Sequence, residues 1–260
     1  MGVVSNYFLT VQTNINPHMR KIVTDWMMEV CEDQQCKPEV FFLSINYLDR
    51  FLSTVNIKKN QFQLCASVCI LLASKFSQVV PITTDKLVIY TDSSVTVEEL
   101  RQWEIKILNV LQWELCSVTT HTFLEHFIPG LCTVLSKVNN NKVRTHAHTI
   151  AAMAATEYDL ITAKQSIVAA AALSIAVKVE VKEESEIQEI LHYLATRIKC
   201  SENNLRIFIS LIEELLEGRS KLPCTPLPDL VNKTQQYTED CGGGSRTPTY
   251  CQDVADIVFV

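Results

Sequence analysis

Four charged residues stand where helical periodicity asks for apolar ones, and they limit what this chain can fold into more than anything else in it. Arg20 leads a face continued by Val23 and Met27 in MRKIVTDWMMEV, and Asp49 shares a face with Phe42 and Ile45 in FFLSINYLDRFLS. Lys75 follows Val68 and Leu71 in the helix that ends LLASK, and Glu104 sits between Leu100 and Leu108 in QWEIKIL. Taking such a charge out of water costs several kcal/mol unless it is paired, so all four need partners. Two jobs are open to them: pairing inside the fold, or reaching backbone groups on another protein.

Composition sets the scale. The chain has 260 residues, of which 47% are apolar, enough for two cores of about 100 to 150 residues each and a tail. A net charge of −6 and the lack of any lysine or arginine run argue against a nucleic-acid or anionic-membrane surface, and favour protein partners. The start, MGVVSNYFLT, lacks the basic and apolar regions of a secretory signal, which points to a reducing compartment. Most of the ten cysteines, such as Cys65 and Cys69, lie in apolar helical runs as small hydrophobes. The longest candidate for a membrane span, IVAAAALSIAV, covers about eleven residues against the roughly 18 required.

Helix signals recur along the chain. Asn16 and Pro17 supply a cap and a first helical position, followed by the stripe Met19, Ile22, Val23, Trp26, Met27 and Val30. EVFFLSINYLDRFLS is apolar on nearly every side, as a central bundle helix would be. A third helix is predicted from about Asn60 to Gln78 and a short fourth from about Asp85 to Tyr90. Thr96 and Glu99 form a capping box that opens a fifth. Beyond Thr119, QSIVAAAALSIAVK echoes QLCASVCILLASK, which suggests an internal duplication, with Lys178 read as a helix-end charge. From Arg219 the prolines and the glycine run predict a largely disordered tail.

Enzyme signatures fail. The spacings of Cys31 with Cys36, His121 with His126, and His146 with His148 do not make the ligand sets zinc requires, and no metal or cofactor is expected. Phosphate loops, nucleophile elbows and paired catalytic carboxylates are missing, and three of the six glycines fall in the tail.

The ordered motifs YFLTVQ, PHMRKIV, WMMEVCEDQQC, NYLDRFLS, LLASK, KLVIYTD and LQWEL, spread from Tyr7 to Ser117, resemble a cyclin box and are most similar to D-type cyclins. The resemblance implies an all-α chain of two tandem five-helix cyclin folds: an extension over 1–16, the first box over 17–117, the second fold over 118–218 and a tail over 219–260. It implies a regulatory subunit, without catalytic residues, that activates a G1-phase cyclin-dependent kinase toward retinoblastoma-family substrates, in nucleus and cytoplasm. The residues matching Arg20 and Asp49 pair inside the box, and those matching Lys75 and Glu104 meet on the kinase-binding surface. Met19, Ile22, Trp26, Glu29 and Gln63 match the patch that docks Arg-x-Leu motifs of substrates and inhibitors. Thr247, before Pro248, matches a phosphorylated degradation signal read by a ubiquitin ligase, although Tyr250 to Gln252 interrupt the acidic stretch. The Leu-x-Cys-x-Glu segment common in that group is missing, so a shortened N-terminus is expected. The competing reading is a cyclin-fold scaffold or transcription-factor-like adaptor, which would need the basic face this acidic chain does not advertise.

Overall fold

A computed structural model describes residues 6–134, 140–181 and 183–221. After a single turn, α1 (Tyr7–Thr10), come five helices: α2 (Pro17–Asp33), α3 (Pro38–Leu52), α4 (Phe62–Ser77), α5 (Thr84–Tyr90) and α6 (Val97–Val110). A second set follows as α7 (Thr120–Val134), α8 (Asn140–Thr156), α9 (Gln165–Glu180), α10 (Glu184–Ile198) and α11 (Glu202–Lys221). The all-helical, two-domain architecture expected from the sequence is the one observed. The expected tail and Thr247 lie outside the described residues.

Local chemistry explains where the helices start. The Asn16 side chain accepts a hydrogen bond from the Met19 amide at 2.9 Å, and Pro17 occupies the first turn, where its lack of an N–H costs nothing. At the head of α6, the Glu99 amide donates to Thr96 Oγ1 at 3.2 Å while Glu99 Oε2 accepts from the Thr96 amide at 2.9 Å. These bonds hold the Glu99 carboxyl below its ordinary range.

The duplication is visible in the packing. α4 is buried from Phe62 through Ser74 and α9 from Ile167 through Val177, each as the hub of its own domain. Ala169 to Ala172 are all fully buried, which lets α7, α8 and α11 approach α9 closely. The cysteines described are free thiols, with Cys31, Cys65 and Cys69 in the core. No helix among the described residues is long and apolar enough to cross a membrane.

Residues 7–15, expected as part of an extension, are built into the first domain. Tyr7 is fully buried and its hydroxyl donates to Asp49 Oδ1 at 2.8 Å. The Gln12 amide donates to the carbonyls of Leu52 and Val55 at 2.6 and 2.7 Å, and its oxygen accepts from the Ile57 amide at 3.2 Å. Gln12 thereby satisfies backbone groups that the end of α3 leaves open.

Arg20 and Asp49 form the polar centre of the molecule. Arg20 Nε and Nη2 donate to Asp49 Oδ1 and Oδ2, each at 2.8 Å, in a two-pronged pair between α2 and α3. The remaining guanidinium protons cross to the second domain, with Nη1 on the Thr156 carbonyl at 3.0 Å and Nη2 on the Ala155 carbonyl at 3.2 Å. Burial by itself would lower the Arg20 pKa, but Asp49 reverses this and holds the group charged. Lys21 adds an ion pair to Glu157 at 2.5 Å, and Phe8 meets Tyr158 edge to face. The C-terminal end of α8 is therefore anchored on α2.

Removing either partner leaves a buried, uncompensated charge, at a cost of about 3 to 5 kcal/mol. We expect Arg20→Ala and Asp49→Ala each to lower the thermal unfolding midpoint markedly, and differential scanning calorimetry of the full chain checks it. An unchanged melting curve for both would place the pair outside the folding core.

Candidate protein-interaction surface

Lys75 and Glu104 have a different fate from the buried pair. Lys75 lies in the last turn of α4 and Glu104 on the outward face of α6, and α4 packs directly on α6. Their contact, Lys75 Nζ to Glu104 Oε1, is 2.6 Å, with the lysine side chain 44% exposed and the carboxylate 16% exposed. The pair crowns a surface that the fold leaves apolar. Phe76 follows Lys75 and Ile105 follows Glu104, both exposed, and the chain leaving α4 presents Val79 at 95% and Val80 at 82% exposure. Exposed hydrophobes next in the chain to an ordered charge pair suit binding of another protein, whose apolar groups they could cover.

Helix α2 carries a second set. Met19 and Ile22 are partly buried against the core, and Glu29 is partly exposed on α2. Burial, with Asp25 and then Glu32 adding like charge, pushes the Glu29 carboxyl up to about 7. A carboxylate held in a site that disfavours its charge is primed for a cationic partner.

Trp26 and Gln63, expected beside these residues on a docking surface, are turned inward. Trp26 is 0% exposed, on the centre of a stripe whose neighbours Val23, Met27 and Val30 are equally buried. Its indole Nε1 has no hydrogen-bond partner among the described residues. Gln63 is buried in the first turn of α4. This corrects the surface role expected of both side chains: periodicity marks the centre of a helix face, and the face of α2 that carries Trp26 is packed inward.

Two features went unread in the sequence. A cavity of about 310 Å³ opens between the domains, lined in part by Arg20, Asp49, Asn46, Thr120 and Gln165. His121 and Glu125 on α7 also converge with His148 on α8. Spacing along the chain, the ground on which metal ligands were set aside, is blind to this cluster because its members come from two helices.

Comparison with known proteins agrees with this architecture. Residues 3–116 match the family described as "Cyclin, N-terminal domain" and residues 118–238 that described as "Cyclin, C-terminal domain". The chain is similar to the G1/S-specific cyclin-D1 of Danio rerio, at 40% identity over 253 residues covering 96% of this chain and 85% of that protein. It is also similar to the G1/S-specific cyclin-D1 of Homo sapiens, at 42% identity over 218 residues covering 82% and 73%. Among solved structures, a viral cyclin from herpesvirus saimiri shares the fold with a TM-score of 0.71 at 24% identity, over 82% of this chain and 90% of that one.

With its lysine 44% exposed, this pair is screened by solvent and contributes about 0 to 1 kcal/mol to folding. We expect the double variant Lys75→Ala, Glu104→Ala to lie within about 1 kcal/mol of the parent in urea unfolding. A loss as large as that expected for Arg20→Ala would mean that the pair belongs to the fold and not to a surface.

Proposed function

The chain belongs to the cyclin family, and from that premise we propose that it is the regulatory subunit of a G1-phase cyclin-dependent serine/threonine kinase, promoting the G1/S transition. Members of this family regulate kinases and are not themselves enzymes. The observation that carries the proposal is the Lys75–Glu104 pair at the α4 and α6 surface, with the exposed Phe76 and Ile105 next to it in the chain and Val79 and Val80 exposed just after α4.

The mechanism is one of differential binding. Lys75 retains donors, and Glu104 an acceptor oxygen, for backbone groups of a kinase helix held inward, while the exposed hydrophobes bury against it. Contacts made only with the inward position shift the kinase population toward its active state. The kinase itself supplies the chemistry. The buried Arg20 network keeps the two domains in one frame, so that the surface meets its partner preformed.

Substrate choice is assigned to α2. Met19 and Ile22 offer an apolar seat for the leucine of an Arg-x-Leu motif, and Glu29 a carboxylate for its arginine. Trp26 and Gln63 support this surface from within the core. Retinoblastoma-family proteins are the proposed substrates, and nucleus and cytoplasm the proposed locations. Thr247 remains the proposed phosphorylation site for recognition by a ubiquitin ligase, on its sequence pattern alone.

Charge reversal adds repulsion and strands the partner's hydrogen-bonding groups, a loss on the order of 2 to 5 kcal/mol. We expect Lys75→Glu and Glu104→Lys to abolish pull-down of a G1 cyclin-dependent kinase with unchanged circular dichroism. Full retention of kinase by both variants would refute the surface.

The docking patch has its own test. Glu29 titrates near 7 in the free protein, so its charge is incomplete at pH 6 and largely developed at pH 8. An arginine favours the charged form, so affinity for an Arg-x-Leu peptide is expected to rise between pH 6 and pH 8 and to be weaker and flat with pH in Glu29→Gln. Fluorescence anisotropy measures both. Equal pH profiles for the two proteins would remove Glu29 from the patch.

A further inference from the structure

His121 and Glu125 lie one turn apart on α7, and so share a face of that helix. α8 packs against α7 and brings in His148. His148 Nε2 is 3.0 Å from Glu125 Oε1, and its Nδ1 is 3.5 Å from His121 Nδ1. One nitrogen or oxygen from each of the three side chains lies within 4.8 Å of the others. Zinc bonds of about 2.0 to 2.2 Å in a tetrahedron place ligand atoms roughly 3.4 Å apart, so the three side chains are close enough to share an ion once the His148 ring, whose two nitrogens face Glu125 and His121 separately, turns to aim one of them at it.

We propose that His121, Glu125 and His148 bind a single zinc ion that clips α7 to α8, with solvent at the fourth position.

The surroundings suit that role. Two imidazoles and one carboxylate select a borderline transition metal over magnesium or calcium, which take oxygen ligands. His148 is largely covered while Glu125 reaches solvent, leaving an entry path. Arg144 Nη1 holds Glu125 Oε2 at 3.0 Å and leaves Oε1 directed at His148, the kind of outer support that orients a ligating carboxylate. From the first domain, the Phe42 ring lies near-parallel to His121 with centroids 6.1 Å apart.

The alternative is a plain hydrogen-bond chain from Glu125 through His148 to His121, and metal titration separates the two. Full-length protein is reduced, stripped with a chelator that is then removed, and titrated with zinc chloride by calorimetry. The same titration is run on Glu125→Gln, which keeps the side-chain shape, and on His148→Gln, which keeps a hydrogen-bonding group in place of the ring. Because the ten cysteines also attract zinc, the readout is a difference. The wild type is expected to take one more equivalent than either variant and to gain a zinc-dependent rise in melting temperature that magnesium does not produce. Cobalt as a probe should give visible bands that both variants lose while any thiolate charge-transfer absorption stays. Equal zinc stoichiometry in all three proteins, or cobalt spectra indifferent to both substitutions, would overturn the site.

Discussion

The bond between Arg20 and Asp49 organises the molecule because both groups are almost completely removed from water and neither could be there alone. Asp49 accepts from Arg20 twice and from Tyr7 once, which ties α1, α2 and α3 into one polar knot inside an apolar bundle. The guanidinium then donates to the Ala155 and Thr156 carbonyls, the last turn of α8, where intrahelical partners run out. A single side chain thereby neutralises a buried carboxylate and caps a helix of the other domain. The relative placement of the two helical units follows from it, helped by Lys21 with Glu157, and by Tyr47, whose hydroxyl donates to the Leu115 carbonyl in the linker at 2.7 Å.

That rigid frame also fixes the second pair. Lys75 and Glu104 contribute little to stability where they sit, yet α4 and α6 hold them in one geometry with exposed hydrophobes next in the chain. A preformed surface loses less entropy on binding than a flexible one, so the same contacts give more affinity. The charges inside and outside the core thus differ in kind: one pair joins the domains, and the other, by the proposed function, is left to meet a partner.

The duplication sharpens this division. Lys178 on α9 pairs with Glu213 on α11 at 2.9 Å, in the third and fifth helices of the second domain, as Lys75 and Glu104 do in the first. The surroundings differ. After α4 the chain exposes Val79 and Val80, whereas after α9 it buries Val181 against its own core. Lys178, read from the sequence as a helix-end charge, sits exposed at such an end with a half-buried partner. One scaffold used twice has kept its pairing geometry while its rims have diverged.

Periodicity and caps are local properties, and the sequence carries them completely. Asn16, Thr96 with Glu99, and the stripes of α2 and α6 predict helices that the structure contains, because each depends on residues within a few positions of one another. The requirement that Arg20 and Asp49 find partners is legible for the same reason, since a charge on an apolar stripe is a local contradiction. Which partner answers it is not local: Tyr7 and the carbonyls of Ala155 and Thr156 are distant in the chain and arrive only when helices pack. Trp26 shows the converse, for its stripe position is evident but its complete burial depends on what closes over α2. The His121, Glu125 and His148 cluster left no signal in spacing, because α7 and α8 each hold only part of it. Sequence alone determined the helices, their buried faces and the charges that needed company; tertiary packing decided the company, since the free energy of a buried charge or an indole depends on neighbours that no local pattern encodes.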